Sequence, residues 1–294
     1  HTVSVVPLTK GVEIMCGPYR IPAIYFRARG VHSNTPPTNP YRSAGRPEVI
    51  FVMERMVDLA ARECGFDPIQ LRRRNMIKPD EMPYDNKLGM TYDSGTYEAA
   101  MDQCFGISDL DGFAARKADS AKRSLKRGLG ISAYMETSTG APRERTEMTV
   151  RPDGEIDVII GTLSAGQGHE TSFAQLLTEW LDVPIDCVNL ITGDTDIVSV
   201  GGGTHSGRSM RLAGVVMGMA TDIIIEKGQR IAGHVLEASE NDIEFANGRF
   251  GIAGTDRSLD IFEIAKAAME RDDLPEDLAG ELTGEGDFTQ TKPA

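Results

Sequence analysis

Two glycine-rich stretches hold most of the chain's capacity for chemistry: Ser164-Ala-Gly-Gln-Gly-His-Glu-Thr171 and Gly201-Gly-Gly-Thr-His-Ser-Gly-Arg-Ser209. Glycine lets main chain approach a ligand closely, and each stretch opens a segment of helical periodicity, where free N–H groups and the helix dipole favour an anion. In the first loop Gly166 and Gly168 flank Gln167, and His169 adds a directed donor. In the second, Thr204, His205, Ser206, Arg208 and Ser209 gather hydroxyl and cationic donors suited to phosphate. Two such loops so close in sequence point to a nucleotide or diphosphate site.

Standard nucleotide signatures do not fit it. Thr171 stands where a dinucleotide fold would place its third glycine, and no Gly-Lys-Ser/Thr follows a spaced glycine. There is no Gly-x-Ser-x-Gly elbow for a serine hydrolase. His32, His169 and His205 fall in loops and His234 in a helix, without the carboxylate neighbours of a first-row metal set. Cys16, Cys64, Cys104 and Cys187 form no C-x-x-C pair and are read as buried, reduced thiols of a cytoplasmic protein. With 31 lysines and arginines against 44 acidic residues, the net charge of -13 argues against nucleic acid and anionic lipid as partners. No apolar run reaches the ~20 residues of a membrane helix.

The elements that must position these loops follow from periodicity. Three prolines in Ser33–Pro40 enforce an extended loop that delivers Tyr41-Arg-Ser-Ala-Gly-Arg46 to a helix. In that helix Val49, Val52, Met53, Met56, Val57 and Ala60 share one face. Asp67 with Gln70 predicts the cap of a basic helix through Arg74, and two further helices are expected over Thr96–Cys104 and Leu110–Lys126. From Gly128 the texture becomes strand-rich: Gly130–Thr137, Arg145–Val150 and Glu155–Leu163 read as strands, the last two joined by Pro152-Asp-Gly154. Helices follow each glycine loop, the first ending before Pro184 and the second reaching about Ala238, with a strand over Ile185–Thr192 between them. Asn247-Gly248 signals a hairpin, Ser258 starts a last helix, and the acidic tail after Arg271 is expected to be loose. The length of 294 residues suits two domains, divided here into 1–127 and 128–294, in an α+β fold.

Several motifs in register resemble one family. Asn34-Thr-Pro-Pro ahead of Tyr41-Arg-Ser-Ala-Gly-Arg-Pro-Glu48, the helix ending Leu71-Arg-Arg-Arg-Asn-Met-Ile77, Leu163-Ser-Ala-Gly-Gln-Gly-His-Glu-Thr171, Gly193-Asp-Thr-Asp196 and the second glycine loop resemble the molybdenum-binding large subunit of the xanthine dehydrogenase and aldehyde oxidase family. The resemblance implies two mixed α/β subdomains that bind molybdopterin cytosine dinucleotide, whose pterin dithiolene rather than any side chain holds the molybdenum. It implies oxidative hydroxylation of an aldehyde or N-heterocycle with oxygen from water, and electron transfer to 2Fe-2S and FAD on partner chains or domains of an oligomeric parent. Gln167, Gly168 and His169, with Gly166, would meet the pterin or its diphosphate, and Thr204, Ser206, Arg208 and Ser209 the rest of the dinucleotide. Arg42 would orient substrate and stabilise the negative charge that develops on it. The loops would converge on one elongated phosphate-bearing molecule, with Arg42 overlooking its reactive end.

Departures from the family pattern matter too. The chain resembles an interior piece of a longer subunit, without a counterpart to the segment that supplies the base glutamate, so no turnover is expected of it alone. Gly284-Glu285-Gly286 is superficially similar to that segment but is not given its role. Ser43 stands where carbon-monoxide-oxidising relatives carry cysteine, which disfavours that substrate. Two other readings are open at this level: a structural fragment that folds without cofactor, and an enzyme using the loops for an ordinary nucleotide.

Overall fold

Prolines and glycines cut the first part of the chain into short helices with little sheet. The computed structural model describes residues 3–137 and 140–291, and the chain divides into two compact units after Thr137. The first unit runs through α1 (Val6–Lys10), α2 (Arg46–Cys64), α3 (Pro68–Asn75), a ribbon of β1 (Tyr84–Asp85) and β2 (Thr91–Tyr92), α4 (Tyr97–Ile107) and α5 (Phe113–Lys122). Asp67 caps α3 by accepting from the Ile69 and Gln70 amides at 2.9 and 2.8 Å. Ile14, Tyr19, Val49, Ile50, Met53, Met76, Ile77 and Met101 form its core.

The buried stripe of α2 is rotated from the expected one. Ile50, Glu54 and Ala61 join Val49 and Met53 inside, whereas Val52 and Met56 are exposed. A buried polar cluster sets the rotation. Glu54 accepts from Tyr19 Oη at 2.6 Å and from Arg72 Nε at 2.8 Å, while Arg72 Nη2 donates to Asp58 at 2.9 Å. Arg72 also donates to the Ile131 carbonyl at 3.3 Å. This bond ties the segment after Gly128 to the first unit, so the division falls at Thr137 and not at the expected residue 128. Gly130–Thr137 is irregular chain, not the predicted strand.

The second unit is built on alternation. In β3 (Arg143–Val150) and β4 (Ile156–Ile160) every second residue is buried, and the Pro152-Asp153-Gly154 turn joins them antiparallel from Thr146↔Ile160 to Val150↔Ile156. β4 continues through a loop into α6 (His169–Leu181), which crosses to β5 (Val188–Ile191), parallel to β4. α7 (Arg208–Val235) is the long central helix. β6 (Ile243–Ala246) and β7 (Arg249–Ile252) form the expected hairpin, with Asn247 and Gly248 at φ of 52° and 69°. The predicted helix at Ser258 begins later: β8 (Ser258–Asp260) first completes this small sheet, then Asp260 caps α8 (Ile261–Glu270) by accepting from the Glu263 amide at 2.8 Å.

The tail is not loose. β9 (Leu282–Thr289) pairs with β3 along its full length and completes a four-stranded sheet of order β5-β4-β3-β9. Its inward positions are Leu282, Gly284 and Gly286. A Cβ at Gly284 would sit 2.2 Å from the Ala220 carbonyl oxygen, and one at Gly286 2.0 Å from that of Val216, so the strand lies directly on the backbone of α7. Met148, Val158 and Ile160 of the sheet pack with Phe173 and Leu177 of α6 and with Val216 and Ile224 of α7. Each such burial is worth about 1.5–3 kcal/mol.

The architecture is α+β. Among the described residues no helix is long and apolar enough to cross a membrane. The expectation of buried cysteines holds for Cys16. Cys64 and Cys104 are exposed and Cys187 is half-buried, all as free thiols, because the first two end or face outward from helices whose other side carries the core.

Candidate functional site

Both glycine loops of the second unit meet at the end of β4. Gly161 packs on Gly201 so closely that a Cβ on the former would lie 2.1 Å from the latter's Cα. One residue on, the Thr162 carbonyl accepts from His169 Nδ1 at 2.8 Å. A carbonyl can only accept, so Nδ1 carries a proton and donates it here. The buried ring also stacks on Phe173, one turn along α6, at 4.7 Å and 10°. His169 therefore shapes the loop with its side chain, while its backbone N–H stands at the start of α6.

Within the first loop the polar groups are partly folded back. Gln167 Oε1 accepts from the Ala165 amide at 2.6 Å, and Ser164 Oγ accepts from the Gly168 amide at 3.2 Å. Gly168, at φ 74°, ends the loop as the residue before α6. Gly207, at φ 72°, does the same for α7. Neither helix N-terminus is closed by a side chain, in contrast to the aspartate caps of α3 and α8. Thr171 and Arg208 donate their N–H groups to the Gly168 and His205 carbonyls at 3.1 Å, and the helix dipole leaves a partial positive charge at both N-termini. α7 has no acidic residue in its first turn to offset it.

Of the donors expected in the second loop, Ser206 is exposed and Thr204 half-buried, with Ser209 Oγ donating to Thr204 Oγ1 at 3.1 Å. His205, exposed beside them, lies 3.1 Å from Ser206 Oγ through Nδ1 and 3.2 Å from the Gly202 carbonyl through Nε2. Arg208 is placed otherwise than the sequence suggested. Its guanidinium is wholly buried, donating from Nε to Ala141 O at 2.8 Å, from Nη1 to Gly203 O at 2.7 Å and from Nη2 to Arg143 O at 2.8 Å. Nη1 also pairs with Glu144 Oε2 at 2.8 Å, and that carboxylate is as completely buried. With its donors turned inward, Arg208 clamps the loop onto β3 and does not reach out to a ligand. Sequence reading did not single out Glu144, which lies between Arg143 and Arg145 and looks like part of a charged surface run.

Arg42 belongs to the first unit. It is exposed, and the turn that carries it is strained: Arg42 and Ser43 have φ of 28° and 56°, and Gly45 has 90°. Left-handed conformations cost L-residues about 1–2 kcal/mol each and persist where neighbours impose them. Ser43 Oγ lies 2.6 Å from Tyr134 Oη, both hydroxyls donate to Glu136 Oε2, and Arg46 Nε pairs with Glu136 Oε1 at 3.0 Å. Burial works against the Glu136 charge, but the bonds from Ser43, Tyr134 and the Thr137 amide, with the Arg46 charge, outweigh it and hold the carboxyl below the usual range. Tyr134 and Glu136 were missed in the sequence. Their spacing of two, which puts both on one side of an extended chain, was the available signal.

The donor set fits a diphosphate-bearing group: two open helix N-termini, exposed or half-buried hydroxyls, and glycine contacts that let both loops share one strand end. Comparison with known proteins agrees. A sequence-family model described as a molybdopterin cofactor-binding domain matches residues 103–294, and a second of the same description matches residues 1–76. The carbon monoxide dehydrogenase large chain of Hydrogenophaga pseudoflava is 32% identical over 261 residues, covering 83% of this chain and 32% of its own. The nicotine 6-hydroxylase large subunit of Paenarthrobacter nicotinovorans is 30% identical over 264 residues, covering 85% of this chain and 32% of its own. Among solved structures, quinoline 2-oxidoreductase from Pseudomonas putida 86 superposes with a TM-score of 0.84 at 28% identity, over 99% of this chain and 38% of that one. The chain spans about a third of the length of the curated relatives it matches.

Proposed function

Because the chain belongs to the molybdopterin-binding large-subunit family of xanthine dehydrogenase and aldehyde oxidase, we propose that its second unit holds the diphosphate of a molybdopterin cytosine dinucleotide on the open N-termini of α6 and α7. The observation that carries this reading is the close contact of Gly161 with Gly201, which brings the second loop to the strand end that the first loop leaves, each loop leading into a helix without a side-chain cap. In this reading, the main-chain N–H of His169 and the Gln167 amide donate to one end of the cofactor, and the Thr204 and Ser206 hydroxyls to the other, while Gly168 and Ser209 brace the loops through Ser164 and Thr204. Arg208 and Glu144 keep the second loop in shape. When bound, the molybdenum centre would supply the redox chemistry of a hydroxylation that takes its oxygen from water.

Arg42 would orient an aldehyde or N-heterocycle and stabilise charge that develops on it, a role a fixed guanidinium suits. The names of the nicotine- and quinoline-oxidising relatives favour the N-heterocycle, and Ser43 in place of cysteine disfavours carbon monoxide. Electrons would leave to iron-sulfur and FAD partners. Turnover is proposed for the complete enzyme and not for this stretch alone.

The test is composition and exchange of one side chain. The complete enzyme carrying this chain is expected to hold one molybdenum and to release one cytidine monophosphate on acid hydrolysis. Ser206→Asp tolerates the local φ of 55° but sets a carboxylate against the diphosphate, so it should abolish both while leaving the melting temperature unchanged. Cofactor retained in full by this variant, or thermal stabilisation of the protein by ATP or NAD instead, would overturn the assignment.

A further inference from the structure

A further polar cluster, outside the two glycine loops, lies in the first unit, where two consecutive non-glycine residues, Arg42 and Ser43, are held in left-handed conformation. The restraint comes from a segment about 90 residues away, where Glu136 gathers the Ser43 and Tyr134 hydroxyls on one oxygen and the Arg46 guanidinium on the other. The Ser43 carbonyl then accepts from the Arg46 amide at 3.0 Å, which closes the turn at the start of α2. From the other side Gly45 is pressed on α1, where a Cβ would lie 2.2 Å from the Pro7 carbonyl oxygen. The Arg42 side chain is exposed and makes no part of this cluster. The clamp therefore fixes its backbone and leaves its guanidinium available.

We propose that Glu136, with Tyr134, is a positioning residue that holds the Arg42–Ser43 turn in its strained conformation so that the Arg42 guanidinium meets substrate pre-aimed. The proposal rests on the substrate role given to Arg42 above. A guanidinium that stabilises charge appearing only as the reaction proceeds affects kcat more than KM, and a small misplacement costs much of that effect. Loss of the Glu136 carboxylate should thus act through Arg42 and not through the fold.

The experiment is a double-mutant cycle in the complete holoenzyme, paired with hydrogen exchange. Glu136→Gln is expected to lower kcat roughly tenfold or more with KM nearly unchanged, and molybdenum content and melting temperature as in the parent. Tyr134→Phe should give a smaller loss of the same kind. In an Arg42→Met background Glu136→Gln should cost nothing further, since the group it positions is gone. Exchange of the Arg46 amide should speed up in Glu136→Gln while the body of α2 is unaffected. Additive losses in the cycle, or unchanged exchange in the turn, would overturn the proposal. Faster exchange in an enzyme that oxidises neither aldehydes nor heterocycles would uphold the clamp and sink instead the substrate role of Arg42.

Discussion

Replacing Arg208 by methionine separates the two roles that its position beside the cofactor loop could serve. Methionine fills similar volume but removes every polar contact of the guanidinium. What remains is the Glu144 carboxylate, fully buried, with the Arg145 amide at 3.2 Å and the Gly202 amide at 3.5 Å as its neighbours. Removing one partner of a buried ion pair costs about 3–5 kcal/mol. The carbonyls of Ala141, Gly203 and Arg143 each lose a charged donor worth about 1.5–3 kcal/mol before relaxation. The upper end, about 5 kcal/mol, is expected, a large share of the 5–15 kcal/mol that holds a typical domain. Urea unfolding at unchanged m-value reads it directly. Adding Glu144→Leu should recover at least half of the loss, because the stranded charge goes with it. Should Arg208→Met shift stability by less than about 1 kcal/mol and still strip the cofactor from the enzyme, the side chain is a ligand contact and the clamp described here is wrong.

Two further outcomes follow from the packing. Gly286→Ala forces a methyl into the Val216 carbonyl and should cost about 1–3 kcal/mol or more, seen as a lower melting temperature. Its neighbour Glu285→Gln removes only an exposed pair with Arg145 and should change stability by less than about 1 kcal/mol; equal effects of the two would refute the backbone-contact argument. Tyr92 is pushed up to about 12 chiefly by burial. The unfolded phenol ionises near 10. The folded state thus holds the proton longer, and this contribution is complete below about pH 10 and lost as pH rises through about 12. Tyr92→Phe should remove that slope from urea midpoints measured between pH 9 and 11.5, and an unaltered slope would refute it.

What could be read from the residues was what local chemistry controls. Glycine followed by helical periodicity located both loops and the starts of α6 and α7, and Asn247-Gly248 fixed a hairpin by its turn preference alone. The failures share a cause: the deciding partner is far away. β9 offered glycines at two of its inward positions, so no apolar alternation announced it, and only the α7 backbone explains them. The α2 stripe was misjudged because Glu54 is buried for the sake of Tyr19 and Arg72. Arg208 looked like a phosphate ligand because loop composition does not reveal whether a guanidinium points in or out. Its partner Glu144 carries no local mark of burial.

The pairing of β3 with β9 also sets a schedule for biogenesis. Arg145 waits for Glu285, 140 residues later in the chain, and at a ribosome's pace of ~5–20 residues per second that is roughly 7–30 s. Throughout this interval one edge of a half-built sheet and the carbonyl-lined side of a long helix stand bare, an invitation to chaperones or to neighbouring nascent chains. β9 is therefore the strand that covers this edge of β3, and truncations just before Leu282 should reach inclusion bodies rather than the soluble fraction.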